Sequence, residues 1–183
     1  MKGVILTGFV DWLRARYDDD YADDVIDATT LDSGGAYTAV GVYPYTDLIA
    51  LSTTVAGREG VSCDDVLRDF SRESFGALAE DHSFLLYGIE DGLRLLEMTE
   101  SHIHVEVLAL YPDTRLPTIE TRRLPGGGME LTYSSLEPLA AMCEGRILGA
   151  LDLFDDAYRV ECTDLDPSRC AATYRITPVP AGA

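Results

Sequence analysis

The chain has 183 residues, of which 46% are hydrophobic, and this is enough for one globular domain with a sizeable core. There are 32 acidic and 14 basic residues, so the formal net charge is −18. A surface of that charge repels nucleic-acid phosphates and anionic lipids, and binding to either is not expected. No apolar run approaches the roughly 20 residues that cross a bilayer, and the first residues lack a signal-peptide pattern. We therefore expect a cytoplasmic protein.

Helical spacing dominates the first half of the sequence. One apolar set recurs every four positions and predicts a first helix: Ile5, Phe9, Leu13 and Tyr17. The acidic stretch 19–27 is compatible with helix, and a further helix is predicted from Asp47 to Glu59, ended by Gly60. Ser62 and Asp65 have the spacing of a capping box, which predicts the start of the next helix. A short turn or helix follows at 82–87.

The longest helical pattern runs from about Glu90 to Tyr111 and closes at Pro112. One stripe of it contains Leu93, Leu96, Glu100, His104, Val107 and Tyr111. His104 should therefore point into the core, whereas His102, two residues earlier, faces away. Two interpretations of His104 remain open. It is either a buried histidine bonded to a backbone carbonyl or an axial metal ligand, since a neutral imidazole nitrogen is a good donor to iron.

The pattern changes to strands after Pro112. Strands are predicted at about 115–121, 129–133, 158–162 and 171–177. Between the second and third strands, a helix is predicted over 138–154, with Pro138 in its first turn. Helices followed by a small antiparallel sheet indicate an α+β fold. We expect a single domain over 1–183, with a helical part at about 1–85, a helix-and-sheet part at about 86–178 and a frayed tail at 179–183.

Several segments, in this order along the chain, resemble the haem–nitric oxide/oxygen binding (H-NOX) family. The run Ile103–Pro112 resembles the family's proximal-histidine segment, in which a histidine after an aliphatic residue is followed by Glu-Val and then by Leu-Tyr-Pro. The other segments are Met1-Lys2-Gly3, 37–44, 139–150 and the Cys162-x7-Cys170 pair. The resemblance covers essentially the whole chain. It implies a helical distal subdomain, a proximal subdomain with the sheet, and a haem-based gas sensor that is not an enzyme.

The resemblance also implies a role for individual residues. His104 would be the proximal ligand of five-coordinate ferrous haem b. The remaining residues expected at the haem are Ile5, Phe9, Phe75, Pro117, Tyr133, Ser135, Met142 and Arg146. Oxygen-binding relatives have a tyrosine donor where this chain has Met142, so the resemblance implies a sensor of NO, with CO as a second ligand, that does not stabilise bound oxygen. Binding of NO would weaken or break the bond between iron and His104. The signal would pass to a histidine kinase or a cyclic-dinucleotide enzyme.

One position departs from the family's Tyr-x-Ser-x-Arg motif, whose side chains hold the haem propionates. Tyr133 and Ser135 are present, but Glu137 replaces the arginine. An ionised carboxylate about 4 Å from a propionate costs about 4 kcal/mol at an effective dielectric of about 20. Either the propionates pair with Arg122, Arg123 or Arg146, or Glu137 is protonated, or the pocket does not hold haem. The last case makes the protein a haem-free binding module for another hydrophobic ligand or a partner.

The cysteines permit two further interpretations. Some relatives bind zinc through the Cys-x7-Cys pair, another cysteine and a histidine. Here Arg159 and Ala140 replace the last two, and two ligands do not make a structural zinc site, so zinc is not expected. Cys162 and Cys170 are predicted near neighbouring strands, which leaves a thiol redox sensor as a third functional hypothesis.

Overall fold

The computed structural model describes residues 1–180, and the last part of the predicted tail, 181–183, lies outside the described residues. Eight α-helices are described: α1 (Gly3–Arg16), α2 (Asp19–Ala28), α3 (Tyr45–Glu59), α4 (Cys63–Glu73), α5 (Phe75–Asp81), α6 (Gly92–Met98), α7 (His104–Leu110) and α8 (Ala140–Leu153). The four strands are β1 (Thr118–Arg123), β2 (Met129–Ser134), β3 (Tyr158–Leu165) and β4 (Ala171–Pro178). They form one antiparallel sheet in the order β1-β2-β4-β3. The predicted α+β class is confirmed.

Within residues 1–180, no helix combines the length and apolar character needed to cross a bilayer.

The chain forms two compact units, one from Met1 to Phe70 and one from Ser71 onward. The division lies inside α4. The residues after the division pack on α8. In particular, the Ser71 hydroxyl donates a hydrogen bond of 2.9 Å to the carbonyl oxygen of Met142. Both residues belong to the second unit.

The first unit contains an aromatic cluster. The ring centroid of Phe9 lies 5.5 Å from that of Trp12 and 5.1 Å from that of Phe70, and all three side chains are buried. Leu13, four residues after Phe9, is also fully buried, whereas Ile5 is half-buried. The four-residue spacing therefore identified part of the buried face of α1, and Tyr17, the last residue of that set, follows the helix.

Two predicted helix ends in the first unit are confirmed. Gly60 follows α3 with φ of 71°, a left-handed conformation that glycine adopts without steric cost. The capping box is reciprocal, because the Asp65 N–H donates to Ser62 Oγ at 3.1 Å and the Ser62 N–H donates to Asp65 Oδ2 at 3.2 Å. The α3 helix itself begins at Tyr45, two residues earlier than predicted.

The second unit is built on the sheet and on α8, which connects β2 to β3. Buried residues alternate along the strands on the face that forms the core: Ile119, Met129, Leu131, Tyr133, Ala172, Tyr174 and Ile176. The Tyr174 hydroxyl donates to the carbonyl oxygen of Ala140 at 2.7 Å, which fastens β4 to the first turn of α8. The placement of Pro138 in that first turn is wrong. A tight turn, in which the N–H of Leu139 donates to the carbonyl of Glu137, precedes the helix.

The predicted single helix over 90–111 is wrong in its middle. A π-helical segment, Thr99–Ile103, separates α6 from α7. Such a segment adds a residue to the turn and shifts the phase of the helix after it. The stripe of side chains that leads to His104 is consequently not continuous. The π segment lies immediately before that histidine.

Gly149 lies where α8 crosses the start of α5. A Cβ atom at Gly149 would lie 2.5 Å from Cβ of Phe75 and 2.9 Å from the carbonyl oxygen of Arg72. We expect Gly149→Ala to lower the free energy of unfolding by about 1 to 3 kcal/mol in urea denaturation. Gly76→Ala is the matched control, because a Cβ there has no neighbour within 4 Å, and it should stabilise by about 0.4 to 1 kcal/mol. Equal midpoints for the two variants would contradict this packing.

Candidate functional site

His104 is the first residue of α7, and a carboxylate holds its ring. The side chain is 13% exposed, and Nδ1 lies 2.8 Å from Oε2 of Glu100. An ionised carboxylate has no proton to give, so Nδ1 carries the hydrogen and donates it. In the neutral imidazole, Nε2 is then the unprotonated nitrogen, the form in which imidazole binds a metal. The partner of Nδ1 is thus a side chain and not a backbone carbonyl.

Glu100 also bonds the backbone of β1. The same Oε2 accepts a hydrogen bond of 3.2 Å from the N–H of Ile119, two residues after the half-buried Pro117. One carboxylate oxygen therefore joins the π-helical segment, the imidazole and the first strand. Sequence reasoning placed Glu100 on the stripe with His104 but assigned it no role. The signal that could have found it is the spacing of four residues between a carboxylate and an imidazole on one helix.

Tyr133 and Ser135 both hold the backbone of the residue that departs from the motif. The Ser135 hydroxyl accepts from the N–H of Glu137 at 3.1 Å, and the Tyr133 hydroxyl donates to the Glu137 carbonyl at 3.5 Å. Burial raises the pKa of Tyr133 to about 12, so it remains a hydrogen-bond donor at neutral pH. The Glu137 carboxylate is half-buried and has no hydrogen-bond or ion-pair partner among residues 1–180.

Two of the three arginines considered as replacements for the family arginine already have carboxylate partners. Arg122 pairs with Glu130, and Arg123 pairs with Glu97. The second pair lowers the pKa of the Glu97 carboxyl, chiefly through the hydrogen bond from the guanidinium. Arg146 differs, since its guanidinium makes no ion pair in the described part of the chain.

Arg146 lies near two other predicted haem residues. Its guanidinium donates to the Ser71 carbonyl at 3.3 Å and lies 5.7 Å from the ring centroid of Phe75. Burial without a counter-ion lowers the pKa of Arg146 to about 10, which still leaves it charged at neutral pH. Met142 is one helical turn earlier on α8 and is buried. The second unit therefore brings Phe75, Met142 and Arg146 together. Ile5 and Phe9 lie on α1 of the first unit.

The strand register does not bring Cys162 and Cys170 together. Cys162 lies opposite Tyr174 in the β3–β4 pair, and Cys170 is four residues before Tyr174. Four residues of strand span roughly 13 Å, whereas Cα atoms joined by a disulfide lie within about 7 Å. Neither cysteine forms a disulfide in the structure. Within residues 1–180, no group of three or more His, Cys, Asp or Glu side chains is arranged to hold a metal ion.

An imidazole whose Nδ1 is bonded to a carboxylate has the geometry of a possible metal ligand. The sequence profile of the family described as Haem-NO-binding matches residues 2–162. The chain therefore belongs to this H-NOX family, whose members are haem-based gas sensors.

Solved structures agree with this fold. An Fe(II) unliganded H-NOX protein from K. algicida is 24% identical, with a TM-score of 0.89 over 100% of this chain and 99% of that one. The H-NOX protein from S. oneidensis in the Fe(II)NO state is 24% identical, with a TM-score of 0.90 over 98% and 100%. The IWP-051-bound H-NOX from Shewanella woodyi, in the Fe(II)CO state, is 29% identical, with a TM-score of 0.82 over 100% and 97%. No curated protein sequence matches the chain at a significant level.

The separation of Cys162 and Cys170 along the strands predicts the outcome of mild oxidation. We expect no intramolecular disulfide between these residues, because closing it would require the β3–β4 ladder to shift. Peptide mapping by mass spectrometry of the native, oxidised protein measures this. A cross-linked Cys162–Cys170 peptide, absent from Cys170→Ser, would instead support the thiol redox hypothesis.

Proposed function

We propose that this chain is a sensor of nitric oxide that binds haem b through His104. The observation that carries the proposal is the hydrogen bond between His104 and Glu100, which leaves Nε2 of the imidazole free to bind iron. Ferrous haem would supply the position at which NO or CO binds. The chain's own residues would hold the group, exclude oxygen and pass on the signal.

The residues suit the axial coordination position of haem better than they suit its propionates. His104 has the nitrogen, the tautomer and the restricted exposure of an axial ligand. Tyr133 and Ser135 would keep the segment at Glu137 in place through their backbone hydrogen bonds. The positive charge that the family obtains from an arginine in the motif would come from Arg146, whose guanidinium lacks a carboxylate partner within residues 1–180.

Selectivity for NO rests on α8. Bound oxygen carries partial negative charge and needs a hydrogen-bond donor, whereas NO and CO do not. Met142 is buried and offers no donor, and α8 contains no tyrosine. The Arg146 guanidinium is directed to the Ser71 carbonyl and the Phe75 ring. These features support a pocket that binds oxygen weakly and still binds NO and CO.

The helix that carries His104 suits a signalling role. No side chain of α7 is fully buried, and Val105, Leu108 and Leu110 are between 42% and 55% exposed. Loss of the bond between His104 and iron would release a helix with little packing of its own to hold it. We propose a histidine kinase or a cyclic-dinucleotide enzyme as the partner that reads this change. An exposed apolar helix on a strongly acidic protein favours a protein partner over nucleic acid.

The proposal predicts a pigmented protein. After reconstitution with haem and reduction, the absorption spectrum should contain a Soret band that shifts with NO and with CO but not with oxygen. A spectrum identical to that of free haem would contradict the proposal.

Two variants provide the control for ligation. His104→Ala removes the axial ligand and should abolish stable haem binding, and added imidazole should restore the band. His102 is two residues before His104, and the control variant His102→Ala should retain the spectrum of the unmodified protein. Equal loss of haem in both variants would place the ligand elsewhere.

A haem-free binding module is a second candidate, and Glu137 favours it. Its carboxylate lies where the family holds propionates and has no cationic partner among residues 1–180. In this case, the pocket would take another hydrophobic ligand or contact a partner.

Substitution of Glu137 separates the two candidates. If haem is the ligand, Glu137→Arg should raise haem affinity at least about tenfold, because it replaces repulsion with a bidentate ion pair. Glu137→Gln removes only the charge and should give a smaller gain. Competition with a haem-binding apoprotein measures both affinities. If the Glu137→Arg variant remains colourless with haem supplied, while still folded by circular dichroism, the haem-free module would be supported.

A further inference from the structure

We propose that Glu100 is a positioning residue that strengthens the bond between His104 and iron, so that NO displaces this histidine less readily than an imidazole without a carboxylate partner. The inference rests on the proposed function. It concerns a residue outside the segments whose resemblance identified the family. Three properties of the Glu100 contacts carry it.

The first property is the choice of tautomer. The Glu100 carboxylate accepts the Nδ1 hydrogen of His104 at 2.8 Å. Without that acceptor, a neutral histidine is free to place its hydrogen on Nε2, where it blocks metal binding. Glu100 therefore prepares the ligand nitrogen before any iron arrives.

The second property is the anchor to the sheet. The oxygen that holds the imidazole also accepts the N–H of Ile119 at 3.2 Å. A movement of His104 away from its present position must stretch its bond to Glu100 or the bond between Glu100 and β1. Since α7 has no fully buried side chain, this carboxylate is a specific restraint on the start of the helix.

The third property is charge. A carboxylate on the second nitrogen of a metal-bound imidazole raises the basicity of the ligand nitrogen and strengthens its bond to the metal. The Glu100 side chain is 46% exposed, so solvent reduces this effect without removing it. Glu100 contributes a hydrogen-bond acceptor and a negative charge to the bond. Glu100→Gln retains the acceptor and removes the charge, whereas Glu100→Leu removes both.

The tautomer is tested without haem. Nitrogen-15 NMR of the haem-free protein at a fixed neutral pH should show hydrogen on Nδ1 of His104 in the unmodified protein and in Glu100→Gln. In Glu100→Leu the hydrogen should move to Nε2. Glu120→Gln is the matched control, because Glu120 is the exposed neighbour of Ile119 on β1, and it should leave the signal unchanged. Hydrogen on Nε2 in the unmodified protein would overturn the inference.

The bond to iron is tested in the reconstituted, reduced protein. Resonance Raman spectroscopy should show the iron–histidine stretching frequency falling in Glu100→Gln and falling further in Glu100→Leu, with Glu120→Gln unchanged. The ferric/ferrous midpoint potential should rise in both Glu100 variants, because a negative charge near the iron is lost. When NO is limiting, the fraction of protein that has lost its histidine ligand should be larger in each Glu100 variant than in the unmodified protein. Haem affinity should fall about 10- to 100-fold in Glu100→Leu. Frequencies that match the unmodified protein would overturn the inference.

The two experiments separate this inference from the proposed function. If the unmodified protein binds no haem, the proposed function fails, while the NMR result still decides whether Glu100 sets the tautomer of His104. If haem binds and the Glu100 variants behave as the unmodified protein does, the inference fails and the proposed function stands.

Discussion

The hydrogen bond between Glu100 and His104 is the constraint on which the rest of the site depends. It determines which imidazole nitrogen is available, and through Ile119 it connects the helix to the sheet. A π-helical segment precedes the histidine, and α7 beyond it has no fully buried side chain. The helix that carries His104 is therefore held mainly at its start. Under the proposed function, such a helix would stay fixed in one state and move in another.

Charge balance decides what else the site can hold. The family motif places an arginine beside the haem propionates, whereas this chain has Glu137 at that position of the motif. Arg122 and Arg123 are already neutralised by Glu130 and Glu97. Arg146 remains as a half-buried cation that makes no ion pair among residues 1–180.

Sequence patterns predicted most of the elements, because each depends on neighbours in the chain. The capping box at Ser62 and Asp65 and the glycine after α3 are local interactions, and both are present. Alternation of buried residues identified the strands for the same reason. The errors lie where distant contacts prevail. At the start of α8, the N–H of Ala140 donates to the distant carbonyl of Arg169, and the long helix is interrupted by the π segment next to the Glu100 contact with β1.

The amino-acid sequence by itself determined the family, the α+β class, the candidate iron ligand and the charge reversal at Glu137, since residue identity and order suffice for each of these. Only the tertiary structure decided the partners. It joined the Glu100 carboxylate to the backbone of Ile119, left Arg146 without a carboxylate within residues 1–180, and separated Cys162 from Cys170 by the strand register. A hydrogen bond or an ion pair requires two groups within about 3 to 4 Å, and the packing of helices against a sheet sets that distance for residues far apart in the chain.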